Sequence, residues 1–192
     1  MTAVPEVTAI QAEAASLAEK LARELDRLDC PDERGRVLTD EARAAAREQL
    51  LAKYAAEAEQ LRQDLAARIT RARGQAQERL QQLRPKPEAA GYYLGLLGLL
   101  REQADGDVRR AARQLLAVEP EAAPWLASIG GSLGLADVAR EALQQLTARE
   151  PVLAALLDDR DPDLVAGLAV GSLRGAIARA RGRAAVTVKD LW

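Results

Sequence analysis

Between Thr39 and Pro85 the chain contains no proline, and this uninterrupted stretch limits what it can fold into more than any other feature. Thr39 is a good helix N-cap, and Asp40 and Glu41 follow it in the first turn, where the positive end of the helix dipole favours acidic groups. A single helix over residues 40–84 is roughly 65–70 Å long at a rise of about 1.5 Å per residue. Its apolar positions are Leu50, Tyr54, Ala58, Leu61, Leu65, Ile69, Ala72, Ala76, Leu80 and Leu83, with spacings that cycle through three, four and four. That is an eleven-residue repeat, which specifies a straight or slightly right-handed bundle in place of a left-handed supercoil.

A shorter amphipathic segment precedes it. Val7, Ile10, Ala14, Leu17, Leu21, Leu25 and Leu28 recur every three or four residues, and Pro31 and Gly35 discourage continuation beyond Leu28. Folded back as an antiparallel hairpin, this helix covers about half of the long stripe. The remainder, from Ile69 to Leu83, reaches past it and suggests self-association or a docked partner, so Leu61, Leu65, Ile69, Leu80 and Leu83 are the expected oligomer contacts, with burial of Leu65, Ile69, Leu80 and Leu83 against the C-terminal domain as the alternative.

After RPKPE, Arg84 to Glu88, glycine and proline become frequent and both tryptophans appear, which places a domain boundary there: residues 1–84 form a hairpin with a long coiled-coil helix, and residues 88–192 a second helical domain. Candidate helices run at about Ala89–Gln103, Asp107–Glu119, Glu121–Ile129, Ala136–Arg149, Pro151–Leu157 and Pro162–Ala180. The apolar run from Ala89 to Leu100 is too short to cross a membrane, which takes roughly 20 residues, and reads as a buried helix. The small-xxx-small pair Gly91 and Gly95 reads as close helix packing in the core. With no Phe and 3% aromatic residues, the interior must be Leu, Ala, Val and Ile, and the richest residue types are strong helix formers. The fold class expected is all-α.

Chemistry is scarce. The chain has no His, which removes Ser-His and Cys-His pairs and the usual general base near neutral pH. Cys30 sits between Asp29 and Pro31 with Asp32 beyond, an acidic setting that opposes thiolate formation, and as the only cysteine it forms no internal disulfide. The run DDRDPD, Asp158 to Asp163, lacks the Gly and terminal Glu of an EF-hand loop, and capping by Asp161 or Asp163 explains it. GGSLG, Gly130 to Gly134, matches no phosphate-binding fingerprint. No catalytic residue, metal or cofactor is expected. The formal charge of -2 gives no global reason to bind nucleic acid or a membrane surface, and a cytoplasmic protein is expected.

Recognition must then be local, and the C-terminal end is the candidate. From Leu168 onward Arg174, Arg179, Arg181, Arg183 and Lys189 face a single acid, Asp190, and the chain ends on VTVKDLW with Trp192 as an interface anchor. Gly171, Gly175 and Gly182 weaken a helix here, so the segment is expected to firm up on binding. Arg174, Arg179, Arg181, Arg183 and Trp192 are the partner-binding candidates.

Two resemblances follow. DVRRAARQLL from Asp107 and DVAREALQQL from Asp137, with a looser copy at DLVAGLA, resemble the Asp-capped helix of HEAT-type α-solenoid repeats, while a compact helical bundle stays equally open. The order of short helix, glycine-containing turn, LTDEARAAAREQLLAKYAAEAEQL from Leu38 to Leu61 and a smaller helical domain resembles helical head-assembly proteins of tailed bacteriophages, scaffold-like or accessory to the capsid. That resemblance implies a homo-oligomeric structural protein of the host cytoplasm or virion. Its partner is a capsid shell or portal, reached through Arg174, Arg179, Arg181 and Arg183. The alternative is a HEAT-like adaptor for a peptide or nucleic acid.

Overall fold

The computed structural model describes residues 5–31 and 37–189, with side chains for residues 7–31 and 37–182. Among these the chain is all-α, without a strand. The helices are α1 (Pro5–Leu28), α2 (Asp40–Gln82), α3 (Pro87–Gln103), α4 (Val108–Val118), α5 (Ala123–Ile129), α6 (Ala136–Thr147), α7 (Pro162–Ala169) and α8 (Gly171–Lys189), with 3₁₀ turns at Pro120–Ala122 and Pro151–Leu156.

Local chemistry sets the helix starts. The Thr39 hydroxyl accepts from the Ala42 N–H at 3.3 Å at the head of α2. Asp107 accepts from the N–H groups of Arg109 and Arg110 at 2.9 and 3.1 Å, and Asp161 from that of Asp163 at 2.7 Å, with Pro162 at the first position of α7. The expected helix over 162–180 is two helices. The chain breaks at Val170, whose N–H turns back to Ala166 and Leu168 carbonyls. The break lets Val165, Ala166, Ala169 and Val170 bury on one side of it and Leu173, Ile177 and Ala180 on the other.

Two compact units result, Met1–Arg68 with Arg160–Trp192, and Ile69–Asp159. This differs from a division at residues 84–88. α2 contributes to both units, and the chain's last helices belong to the first. In that first unit α1 lies closest to α8 and α7. Leu173, Ile177 and Ala180 of α8 complete a core with Ala14 and Leu21 of α1 and Leu51, Tyr54 and Ala58 of α2. α8 is therefore a formed wall of this unit, and the expectation that it orders only on binding is corrected. Its three glycines are offset by the burial of Leu173, Ile177 and Ala180.

In the second unit α3 pairs with α4 and α5 with α6. Ala76, Tyr93, Leu97, Leu115, Trp125, Leu126 and Val138 share its core, with the rings of Tyr93 and Trp125 tilted at 6.0 Å between centroids. Only one side of α3 takes part. Tyr93 and Leu97 are buried, whereas Gly91, Gly95, Tyr92, Leu94 and Leu99 are exposed. The expected buried helix is buried on one side alone, and the expected glycine packing in the core is corrected: a continuous apolar run conceals which side faces inward.

Candidate partner-binding groove

The stripe on α2 is the inward face. Tyr54, Ala58, Leu65, Ile69 and Ala76 are buried, and Leu50, Leu61, Ala72, Leu80 and Leu83 are half-buried. Leu80 and Leu83 pack against the core of the second unit. Of the expected oligomer contacts Leu61, Leu65, Ile69, Leu80 and Leu83, none is exposed. For Leu80 and Leu83 the cover is the C-terminal domain, the alternative to a second copy.

The basic residues of α8 separate into different roles. Arg174 is engaged within the first unit: its Nη2 donates to Glu59 Oε2 at 3.0 Å. Glu59 also accepts from Arg62 at 2.6 and 3.0 Å and from Gln63 at 3.0 Å, and Arg62 reaches on to Asp163 of α7. Hydrogen bonds from Arg62 and Gln63, with Arg174 beside them, hold the Glu59 carboxyl down at about 2. Arg62 is correspondingly raised by Glu59 and Asp163. Arg174 is thus a tie between α8 and α2 before it is anything else. The side chain of Arg183 and the whole of Trp192 lie outside the described residues.

Arg179 and Arg181 line a groove of about 1270 Å³ in the first unit, bounded by α1 from Ala18 and the turn at Asp29 that follows it, by α2 from Asp40 to Ala52, and by Ala176–Arg181 of α8. Leu21, Leu25 and Leu51 give it an apolar floor. Its rims carry both signs, with Arg43, Arg47, Arg179 and Arg181 facing Glu19, Asp26, Asp29, Asp40 and Glu48. Arg43 is partly held, its Nη2 donating to the Leu38 carbonyl at 3.3 Å and its Nε lying 3.7 Å from Asp29. Arg181 also borders a smaller cavity of about 280 Å³ with Ala58, Arg174 and Ile177. The α1 edge of the larger groove spans about three helical turns, roughly 16 Å, longer than a small-molecule pocket needs and open along its length.

Sequence reading missed Arg43, Arg47 and the acids of α1. Their signal was present: Arg43 and Arg47 stand four apart on one side of α2, and Asp26 and Asp29 stand three apart at the end of α1 and in the turn after it. Among the described residues no group of three or more His, Cys, Asp or Glu is placed to hold a metal, and no helix is long and apolar enough to cross a membrane. Against protein-family models, curated proteins and solved structures the chain gives no match.

In the second unit a different network ties repeats together. Arg113 of α4 donates to Glu141 at 2.8 and 3.0 Å and to Asp137 at 2.8 Å, both on α6, while Arg79 of α2 makes a two-pronged contact with Glu150 at 2.6 and 3.0 Å. Asp107 caps α4, but Asp137 does not cap α6; it lies inside the first turn and receives Arg113 instead.

Proposed function

We propose that this chain is a non-catalytic assembly protein whose first unit docks an amphipathic helix of a protein partner. The groove between α1, α2 and α8 carries the reading: an apolar floor flanked by arginines and carboxylates suits a helix with one apolar stripe and charged edges, whereas a rim of mixed sign offers no preference for a polyphosphate. Arg179 and Arg181 are the residues that contact the partner's acidic edge. The setting we put forward is head assembly of a tailed bacteriophage, with shell or portal as partner.

A photo-crosslinking amino acid at Ala22 or Ala52, in cells that express the chain naturally, tests this. One discrete protein adduct is expected at these groove positions, absent at the exposed Ala148 and lost when Arg179 and Arg181 are both changed to Glu. Equal adducts at Ala148, or none at the groove, contradict the proposal, as does tight, steeply salt-dependent binding of generic duplex DNA by the intact chain.

A second reading, a HEAT-like adaptor, is favoured by one observation. Ala112 and Leu116 of α4 and Ala142 and Leu146 of α6, at matching places in the repeated segment, are all buried. It would place recognition on the second unit, and the same crosslinker placed there, at Ala117, separates the two.

A further inference from the structure

We propose that α3 is the surface through which two copies of this chain associate, antiparallel and about its midpoint. The inference rests on the assembly reading and moves self-association from the α2 stripe, which the chain covers itself, to a face that it leaves open.

Tyr92, Leu94 and Leu99 are 57%, 58% and 60% exposed, three large apolar side chains on one short helix. At 3.6 residues per turn, Gly91, Gly95 and Gly98 form a line along the outward side, with Leu94 on one flank and Tyr92 and Leu99 on the other. A Cβ added at any of the three glycines meets nothing within 4 Å, so the line is an open channel with apolar walls. The core-facing residues Tyr93 and Leu97 are on the opposite side. A face of this kind admits another helix backbone closely.

Charge and position select the occupant. At the N-terminal end of α3 the exposed Arg84 and Lys86 outnumber Glu88. At the C-terminal end Glu102, Asp105 and Asp107 outnumber Arg101. A parallel copy sets like charges and helix dipoles side by side, and an antiparallel copy sets unlike ones together. The helix is also centred for such a pairing: crossed at its midpoint, Leu94 of one copy lies over Gly95 of the other, and Gly91 lies opposite Gly98. A twofold contact of this sort is self-complementary and closes at two copies. One helix per subunit is a small interface, so the association is concentration-dependent.

Sedimentation velocity on the full chain from about 1 µM to about 1 mM reads the outcome, a range in which a weak interface shows as a shift. The mass should rise from 20.6 kDa toward twice that value. Leu94→Glu should raise the dissociation constant at least about tenfold with unchanged circular dichroism. Gly95→Ala should weaken the dimer while raising the thermal midpoint of the dilute chain, opposite signs that a purely structural glycine does not give. Reversing both ends together, Arg84→Glu and Lys86→Glu with Glu102→Lys and Asp105→Lys, should restore an association that either reversal alone weakens. A chain that stays monomeric throughout, or a dimer indifferent to Leu94→Glu, overturns the proposal. Arg179→Glu with Arg181→Glu should leave the mass unchanged, and Leu94→Glu should leave the groove adduct intact, so failure of the docking reading and failure of this one are told apart.

Discussion

The two units are closed by different means. The second is assembled from neighbours: α3 meets α4 across a short turn, α5 meets α6 across another, and its core is filled by residues that lie close in sequence around Trp125. The first is assembled from the ends of the chain. Its core needs Leu173 and Ile177 of α8 beside Leu21 of α1 and Tyr54 of α2, and Arg174 meets Glu59 across 115 residues of sequence. Local contacts form at small loop-closure cost, whereas contacts between distant segments must wait for the intervening chain. The second unit should form without the first, and the first should depend on α8. The groove inherits that dependence, since one of its walls is α8.

The largest effects should come from the core of the first unit. Leu173 is fully buried, and Leu173→Asp places an unpaired charge there, which costs several kcal/mol, about 4 or more, and should abolish the cooperative unfolding of that unit. Leu168→Asp is the contrast: Leu168 is 64% exposed on the neighbouring helix and the change should fall within about 0.5 kcal/mol. Denaturant titration followed by circular dichroism distinguishes the two. With two units, separate transitions are expected in the damaged chain.

The second unit should break at a backbone contact. A Cβ at Gly130 would lie 2.7 Å from the Ala139 Cβ and 2.7 Å from the Leu126 carbonyl oxygen, so Gly130→Ala forces α5 and α6 apart and should cost about 1–3 kcal/mol. Gly131→Ala, one position on and facing open space, should be tolerated. Thermal unfolding of both variants reads this directly.

A smaller effect of opposite sign is expected at Tyr54. Its hydroxyl is buried without a hydrogen bond of ordinary geometry, Glu24 being only a weak acceptor beside it, and burial together with Glu24 pushes its ionisation up to about 12. Tyr54→Phe removes a polar atom that folding desolvates and should stabilise the first unit by up to about 1 kcal/mol in urea titration. Destabilisation instead would mean that the hydroxyl is satisfied in solution.

The subtlest test is one of pH. Glu59 is held down at about 2, below the roughly 4.3 of an unfolded chain, so the folded state binds its proton less readily. Its contribution is complete above the unfolded value and is lost as pH falls through the folded one. The first unit should therefore weaken between about pH 5 and pH 2 in a way that Glu59→Gln flattens. Carbon NMR should place the Glu59 carboxyl midpoint near 2.

These contrasts also mark what was legible in the sequence. α2 was, because Thr39, the missing prolines and a strict three-four-four stripe agree on one answer. Which face of α8 turns inward was weakly written in Leu173, Ile177 and Ala180. What they turn toward was not, since periodicity names a buried side and never its partner. The α2 stripe shows it: of the two covers its far end allowed, a second copy or the C-terminal domain, Leu80 and Leu83 take the latter and pack against the core that holds Tyr93 and Leu97. The expectation for α3 failed outright. Tyr92, Tyr93, Leu94, Leu96, Leu97 and Leu99 cover all of the helix but the line of Gly91, Gly95 and Gly98, a band too broad to name one inward face, and only packing reveals that Tyr93 and Leu97 face in. Of the candidate partner residues, Arg179 and Arg181 line the groove, whereas Arg174 is a tie to Glu59, a pairing that residue type alone does not distinguish from a free cation.

The dependence of the first unit on α8 is best tested by hydrogen exchange on the intact chain and on a chain ending at Val170. Without α8, amides of α1 and of residues 40–68 in α2 should lose most of their protection, and those of α3, α4, α5 and α6 should keep theirs. Retention of full protection in α1 would contradict the account, because it would mean that α1 and α2 form their core without the helix that walls the groove.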